Sequence, residues 1–167
     1  VNTQDQFLKA YDELADAIFR HCYFRVYSRE RAQDLMQEAF CRTWQYLVKG
    51  KHIDNLKAFI YRVANNLIID EARKRKEVSL DALQAEGFNP LDARAHGALG
   101  TAVQVGEIKR MLESIDDGYR EVIVMRYLDD LQPKEIAHIL NESENAISVR
   151  IHRGIKKIKE VIEHDRA

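Results

Sequence analysis

Between Ile147 and Lys159 the chain carries five cations, Arg150, Arg153, Lys156, Lys157 and Lys159, and no acid. Long basic side chains spaced along one helix suit the neutralising of a row of phosphates. Ile147, Ile151, Ile155 and Ile158 recur three or four residues apart. One face therefore turns inward and leaves Ser148, Arg150, His152, Arg153, Lys156 and Lys157 on the other. A second run, Arg73-Lys74-Arg75-Lys76, closes another apolar-periodic segment, although cations at a helix end also suit the macrodipole and solubility. No catalytic constellation competes: the chain has no HExxH, no Walker glycine loop and no GxSxG, and His21 beside Cys22 has no third ligand near it. Neither an enzyme nor a bound metal or cofactor is expected, and His138 and His164 read as surface residues.

The stretch from Pro133 to Arg153 has the spacing of a helix-turn-helix. Pro133 suits a helix's first position. Small Ala137 permits a close crossing, Asn141 tolerates a left-handed turn, and Ser143 can cap the helix that follows. The recognition helix then runs from Glu144, with Asn145, Ser148 and Val149 toward base edges. Arg150, His152 and Arg153 lie beside them, and Lys156 and Lys157 reach phosphates.

The elements that must hold this motif are helical too. Apolar residues recur at helical spacing through Phe7 to Ile18, Ala32 to Leu47 and Leu56 to Leu67, which predicts three amphipathic helices in an amino-terminal bundle. Between the second and third lies a basic, glycine-broken loop, Val48 to Asn55. Downstream, helices are expected over Ile108–Ile115, Tyr119–Leu128, Pro133–Leu140 and Glu144 to about Ile162, with Asp116 and Asp117 as caps. No sustained period-two alternation appears, so no strands are assigned. Four of the seven glycines and one of the two prolines fall between Glu86 and Glu107. The reading is an all-α chain of two small helical domains, 1–77 and 107–167, joined by a flexible linker over 78–106.

The whole chain has 167 residues, 26 basic and 27 acidic, a net charge of −1. That sum alone argues against nucleic acid, but it conceals local imbalance. Residues 1–77 carry 14 basic and 11 acidic side chains, residues 78–106 carry 1 and 3, and residues 107–167 carry 11 and 13. The two cysteines, Cys22 and Cys41, form no CxxC pair and read as buried thiols of a reducing compartment. No apolar stretch approaches the ~20 residues of a membrane span, and the start is too polar for a signal peptide. A cytoplasmic protein without membrane insertion is expected. Val1 in place of methionine points to residues missing upstream.

Both halves resemble the bacterial sigma-70 superfamily, specifically the two-domain extracytoplasmic-function (group 4) sigma factors. Asp34-Leu35-Met36-Gln37-Glu38-Ala39-Phe40 followed by Trp44 resembles the region 2 helix that docks on the polymerase β′ coiled coil. Phe59 to Asp70 resembles the stretch that reads the minus-10 element. Tyr119-Arg120-Glu121-Val122-Ile123 with the helix-turn-helix resembles region 4, which reads minus-35. The resemblance implies core RNA polymerase contacts at Asp34, Leu35, Gln37, Glu38 and Arg42. It implies minus-10 contacts at Lys49, Lys51, His52, Arg62, Asn65, Asn66 and Arg73, with Asn66 capturing a flipped base through its amide. The minus-35 set is Asn145, Ser148, Val149, Arg150, His152, Arg153, Lys156 and Lys157. Core polymerase, through β′ coiled coil and β flap, promoter DNA and an anti-sigma factor are the implied partners, and the chain's end falls where region 4 is expected to end.

Some positions depart from the family pattern. Gln132 stands where Ser or Thr is common, Asn141 replaces a common Gly, and Asn145-Ala146 replaces Gly-Thr. No adjacent pair of exposed aromatics offers a melting wedge, since Phe59 and Tyr61 are separated and Phe59 follows the core stripe; Trp44 and Tyr46 read as core. The implied function is a promoter-specificity subunit. The alternatives are a stand-alone helix-turn-helix regulator, or a sigma-like adaptor that binds an anti-sigma factor in place of DNA. Near-neutral charge implies weak DNA binding by the free chain.

Overall fold

A computed structural model describes residues 2–77 and 102–166. The expected linker lies outside the described residues except for 102–106, and these are helical. Contacts divide the chain into two units, 1–87 and 88–167.

The first unit is a three-helix bundle: α1 (Thr3–Val26), α2 (Arg29–Val48) and α3 (Leu56–Glu77). Each start has a side-chain cap. Asn2 accepts from the Gln4 N–H at 3.1 Å, Ser28 from Arg31 at 3.3 Å and Asn55 from Ala58 at 3.0 Å, which satisfies amide groups that have no carbonyl a turn earlier. Tyr27 ends α1 in the left-handed conformation, φ 55°, its N–H returning to the Tyr23 carbonyl. Only Tyr27 and Ser28 separate α1 from α2, so the two pair as a helical hairpin. Ala32, Ala39 and Ala64 are fully buried and let the backbones approach around Ile18, Phe19, Cys22, Tyr23 and Ile60. Phe7, Tyr11, Phe40 and Trp44 form an aromatic cluster, with Phe7 and Trp44 ring centroids 5.1 Å apart. Polar ties close the bundle: Arg25 donates to Asn65 at 2.8 Å, and Arg31 pairs with Glu71.

The buried face of α3 is wider than its stripe of threes and fours. Tyr61 and Ile68 are buried along with Ile60, Ala64 and Leu67, because a helix between two neighbours is covered on more than one side. Phe59 is half-buried with its ring 4.9 Å from that of Tyr46. Cys22 is buried, but Cys41 is exposed, contrary to the reading of both thiols as internal. It shares the outer face of α2 with Asp34, Gln37, Glu38 and Gln45, one turn from Gln37 and Glu38.

The second unit contains α4 (Ala102–Glu113), α5 (Asp117–Ile123), α6 (Pro133–Leu140) and α7 (Glu144–Arg166). Thus α4 begins ahead of the expected Ile108, taking in Val105, which is fully buried. α5 runs on through a π-helical turn, Val124–Leu128, where the Asp129 N–H reaches back to the Val124 carbonyl at 3.0 Å. Asp116 caps α5 through its backbone carbonyl rather than its carboxylate. Arg120 donates to the carbonyls of Leu112 and Ile115 at 2.9 and 3.1 Å, closing the C-terminus of α4 with a cation. Ile136, Ile147, Met125 and Leu131 are fully buried at the centre, each such aliphatic side chain contributing about 1.5–3 kcal/mol.

Candidate nucleic-acid interface

The motif from Pro133 onward is built as its residues dictate. Pro133 opens α6, and the Glu135 carboxylate accepts from the Gln132 N–H at 2.9 Å. Gln132 thus keeps a capped start without the common hydroxyl residue. Asn141 ends the helix at φ 55° and ψ 47°, and the Glu142 N–H returns to the Ala137 carbonyl at 3.0 Å. Ser143 Oγ accepts from the Ala146 N–H at 3.1 Å and launches α7. Ile147 and Ile151 face inward, and buried Gly154 lets α7 approach α5: a Cβ there would stand 3.1 Å from Ile123 Cγ1.

On the outer side of α7 lie Asn145, Ser148, Val149, His152, Arg153, Lys156 and Lys157, all exposed. Arg150 departs from that set. Its side chain is 22% exposed, and its two terminal nitrogens donate to Glu121 and Glu142, each at 3.1 Å. It sits at the flank of the helix and faces the body of the unit.

In the first unit, Lys49, Lys51 and His52 are exposed on the loop after α2, which turns at Gly50 with φ 75°. Lys51 lies 4.9 Å over the Tyr46 ring, and His52 pairs with Asp54 at 2.8 Å. Along α3, Asn66 and Arg73 are exposed and Arg62 is half-buried; Arg73 pairs with Asp70 at 3.0 Å. Asn65 does not join them. It is 2% exposed and accepts from Arg25, so its amide serves the bundle, and adjacent residues on a helix point 100° apart. Sequence reasoning passed over Ile69, 47% exposed on the same outer side as Asn66 and Arg73; its one signal was an aliphatic placed off the inward stripe. On α2, Asp34, Gln37, Glu38 and Arg42 are exposed, Leu35 is half-buried, and Glu38 pairs with Arg42 at 2.7 Å.

A further surface escaped the sequence reading. Ile108, Met111, Tyr127, Leu128, Ile155 and Ile158 line an almost wholly apolar groove of about 320 Å³ in the second unit. Ile155 and Ile158 had read as core, yet both are only half-buried. Among the described residues no group of three His, Cys, Asp or Glu side chains could hold a metal ion. Among them too, no helix is long and apolar enough to cross a membrane.

A helix-turn-helix with a basic outer face, carried on a chain that also holds a separate helical bundle, defines a protein of the DNA-reading class. Residues 10–78 match the family described as Sigma-70 region 2, and residues 106–158 match Sigma-70, region 4. The chain is 32% identical over 170 residues to the ECF RNA polymerase sigma factor SigW of Bacillus subtilis, covering 93% of this chain and 88% of that one. It is 28% identical over 153 residues to the ECF RNA polymerase sigma factor SigM of the same organism, covering 89% and 90%. Its fold resembles that of CnrH, solved in complex with the cytosolic domain of CnrY, with a TM-score of 0.74 at 21% identity over 98% and 92% of the two chains. It also resembles the sigma factor RpoE of Bartonella quintana, solved with the anti-sigma factor NepR, with a TM-score of 0.76 at 18% identity over 95% and 98%. The chain belongs to the sigma-70 family as an ECF sigma factor. It is a non-enzymatic subunit of transcription initiation that directs RNA polymerase to specific promoters, binding core polymerase and promoter DNA.

Proposed function

We propose that the outer face of α7 reads the minus-35 element, with Asn145, Ser148, Val149 and His152 toward base edges and Arg153, Lys156 and Lys157 on phosphates. The observation that carries this reading is the exposure of that whole set opposite buried Ile147 and Ile151. Lys49, Lys51 and His52, with Arg62, Asn66 and Arg73 of α3, form the minus-10 surface, and Asn66 offers its free amide to an extruded base. Asp34, Leu35, Gln37, Glu38 and Arg42 meet the β′ coiled coil; the apolar groove beside Tyr127 receives the β flap. Both solved relatives above are complexes with a second protein, one of them an anti-sigma factor, which supports an anti-sigma partner for this chain as well. The site of action is the cytoplasm.

Transcription with purified core polymerase, with and without this chain, tests the whole. Promoter-specific initiation is expected only when the chain is present. The double variant Arg153→Glu, Lys156→Glu should lose the minus-35 footprint while still assembling with core. An unchanged footprint would remove α7 from DNA recognition.

A further inference from the structure

We infer that Arg150 is a positioning residue for promoter recognition: its guanidinium clamps the recognition helix to α5 and to the turn before it, and does not contact DNA. The inference rests on the reading of α7 as the minus-35 helix. Its basis is a three-residue ion cluster. One terminal nitrogen of Arg150 donates to Glu121 on α5 at 3.1 Å, and the other donates to Glu142 in the turn at 3.1 Å. Glu121 is 12% exposed, and Arg150 Nε is buried without a hydrogen-bond partner. To reach a phosphate, the guanidinium would have to break both charge-assisted bonds, one of them to a carboxylate only 12% exposed, where such a bond is stronger than it is in water. The planar fork of arginine can serve two carboxylates at once, a geometry the point charge of lysine does not reproduce.

The position of the clamp gives it a function. Arg150 lies between the base-facing residues Ser148 and Val149 and the outward Arg153, on the flank where α7 turns toward α5. One turn further on, Gly154 brings the same helix against Ile123 and Tyr119. A polar tie at 150 and a close backbone approach at 154 together restrain rotation of α7 about its own axis. A rotation of about 20° moves a group ~6 Å from a helix axis by roughly 2 Å, far outside hydrogen-bond tolerance. Sequence discrimination therefore depends on a residue that faces away from the bases.

The test uses holoenzyme reconstituted from core polymerase and the full chain, on a promoter this chain uses. Promoter binding is compared with that to the same DNA carrying a scrambled minus-35 element, across a salt series. A phosphate contact contributes about 0.9 to the slope of log affinity against log salt, which separates the two roles of an arginine. Arg153→Gln, the control for the underlying reading, should lower the slope by about that amount. Arg150→Lys, Arg150→Gln and Glu121→Gln should leave the slope at the wild-type value and reduce discrimination roughly 10-fold, the order of one good base contact. Glu142→Gln removes only the half-exposed partner and should give a smaller loss of the same kind, so it serves where Glu121→Gln fails to fold. A slope decrease in Arg150→Gln matching that of Arg153→Gln would overturn the clamp. So would unchanged discrimination in Arg150→Lys and Glu142→Gln. If Arg153→Gln alters neither slope nor binding, the minus-35 reading of α7 itself fails, a result distinguishable from failure of the clamp alone.

Discussion

Two neighbouring asparagines on α3 should respond to the same substitution in opposite ways. Asn65 is buried and accepts from the Arg25 guanidinium at 2.8 Å across the bundle. Hydrogen bonds to charged groups contribute about 1.5–3 kcal/mol, while alanine regains about 0.5 kcal/mol of helix propensity over asparagine. Asn65→Ala should therefore destabilise the first unit by roughly 1–2 kcal/mol, and at 4–8 °C per kcal/mol for a domain of this size its melting point should fall on the order of 10 °C. Asn66 is exposed, so Asn66→Ala should leave the melting point unchanged or raise it by about 2–4 °C through propensity alone. Trp44 is the chain's single tryptophan and packs on Phe7 in this unit, so its fluorescence follows the unit's unfolding without interference from the rest. Promoter opening, read by permanganate reactivity of unpaired thymines in the presence of core polymerase, should fall 10-fold or more in Asn66→Ala, with core binding retained. A lowered melting point in Asn66→Ala with normal opening, or a wild-type Trp44 transition in Asn65→Ala, would refute the division of labour between the two amides.

Other expectations follow from single features. Cys41 is exposed and Cys22 is buried, so a maleimide should label the native protein once, and core polymerase should protect Cys41 if the outer face of α2 is the docking face. Labelling at the free-protein rate within the holoenzyme would move the contact elsewhere. Asn141 holds φ 55° between α6 and α7; Asn141→Ala should cost about 1 kcal/mol or less, because alanine keeps the β-carbon but loses the short polar side chain that lets asparagine tolerate the left-handed conformation, whereas Asn141→Gly should be at least as stable as wild type, both read by thermal circular dichroism. Ile147 is fully buried, and Ile147→Ala should cost about 2–5 kcal/mol. A mild effect in denaturant titration would mean that the helix-turn-helix core is not packed around it.

Much of the architecture was legible in apolar spacing and in caps. Pro133, Asn141 and Ser143 each stand where the chain needs a fixed φ, a left-handed turn and a hydroxyl acceptor, and each does that locally. What escaped depends on partners distant in sequence. Arg150 reads as one more outward cation until Glu121, on another helix, is known to lie beside it. Asn65 and Asn66 are chemically identical, and only the packing of α1 against α3 decides which amide is internal. Free cysteine is usually buried, which on sequence alone places Cys41 in the core, yet its position relative to Phe40 and Thr43, both buried, turns it outward. The apolar groove was hidden because Ile155 and Ile158 continue the inward stripe of α7 beyond the point where other helices cover it.

The π turn at Val124–Leu128 bears on chain length. A turn closed by a bond five residues back holds an extra residue relative to an α-helical turn, so that stretch carries a surplus position in an otherwise regular helix. Removing one residue there lets the helix relax to ordinary winding while α4 and α6 keep their own start and stop signals. Deletion of a single residue is thus absorbed between Ile123 and Asp129 at the least cost to the flanking helices. A chimaera that grafts a foreign helix-turn-helix onto this unit should be joined after Asp129, so that the surplus residue stays with the helix that accommodates it.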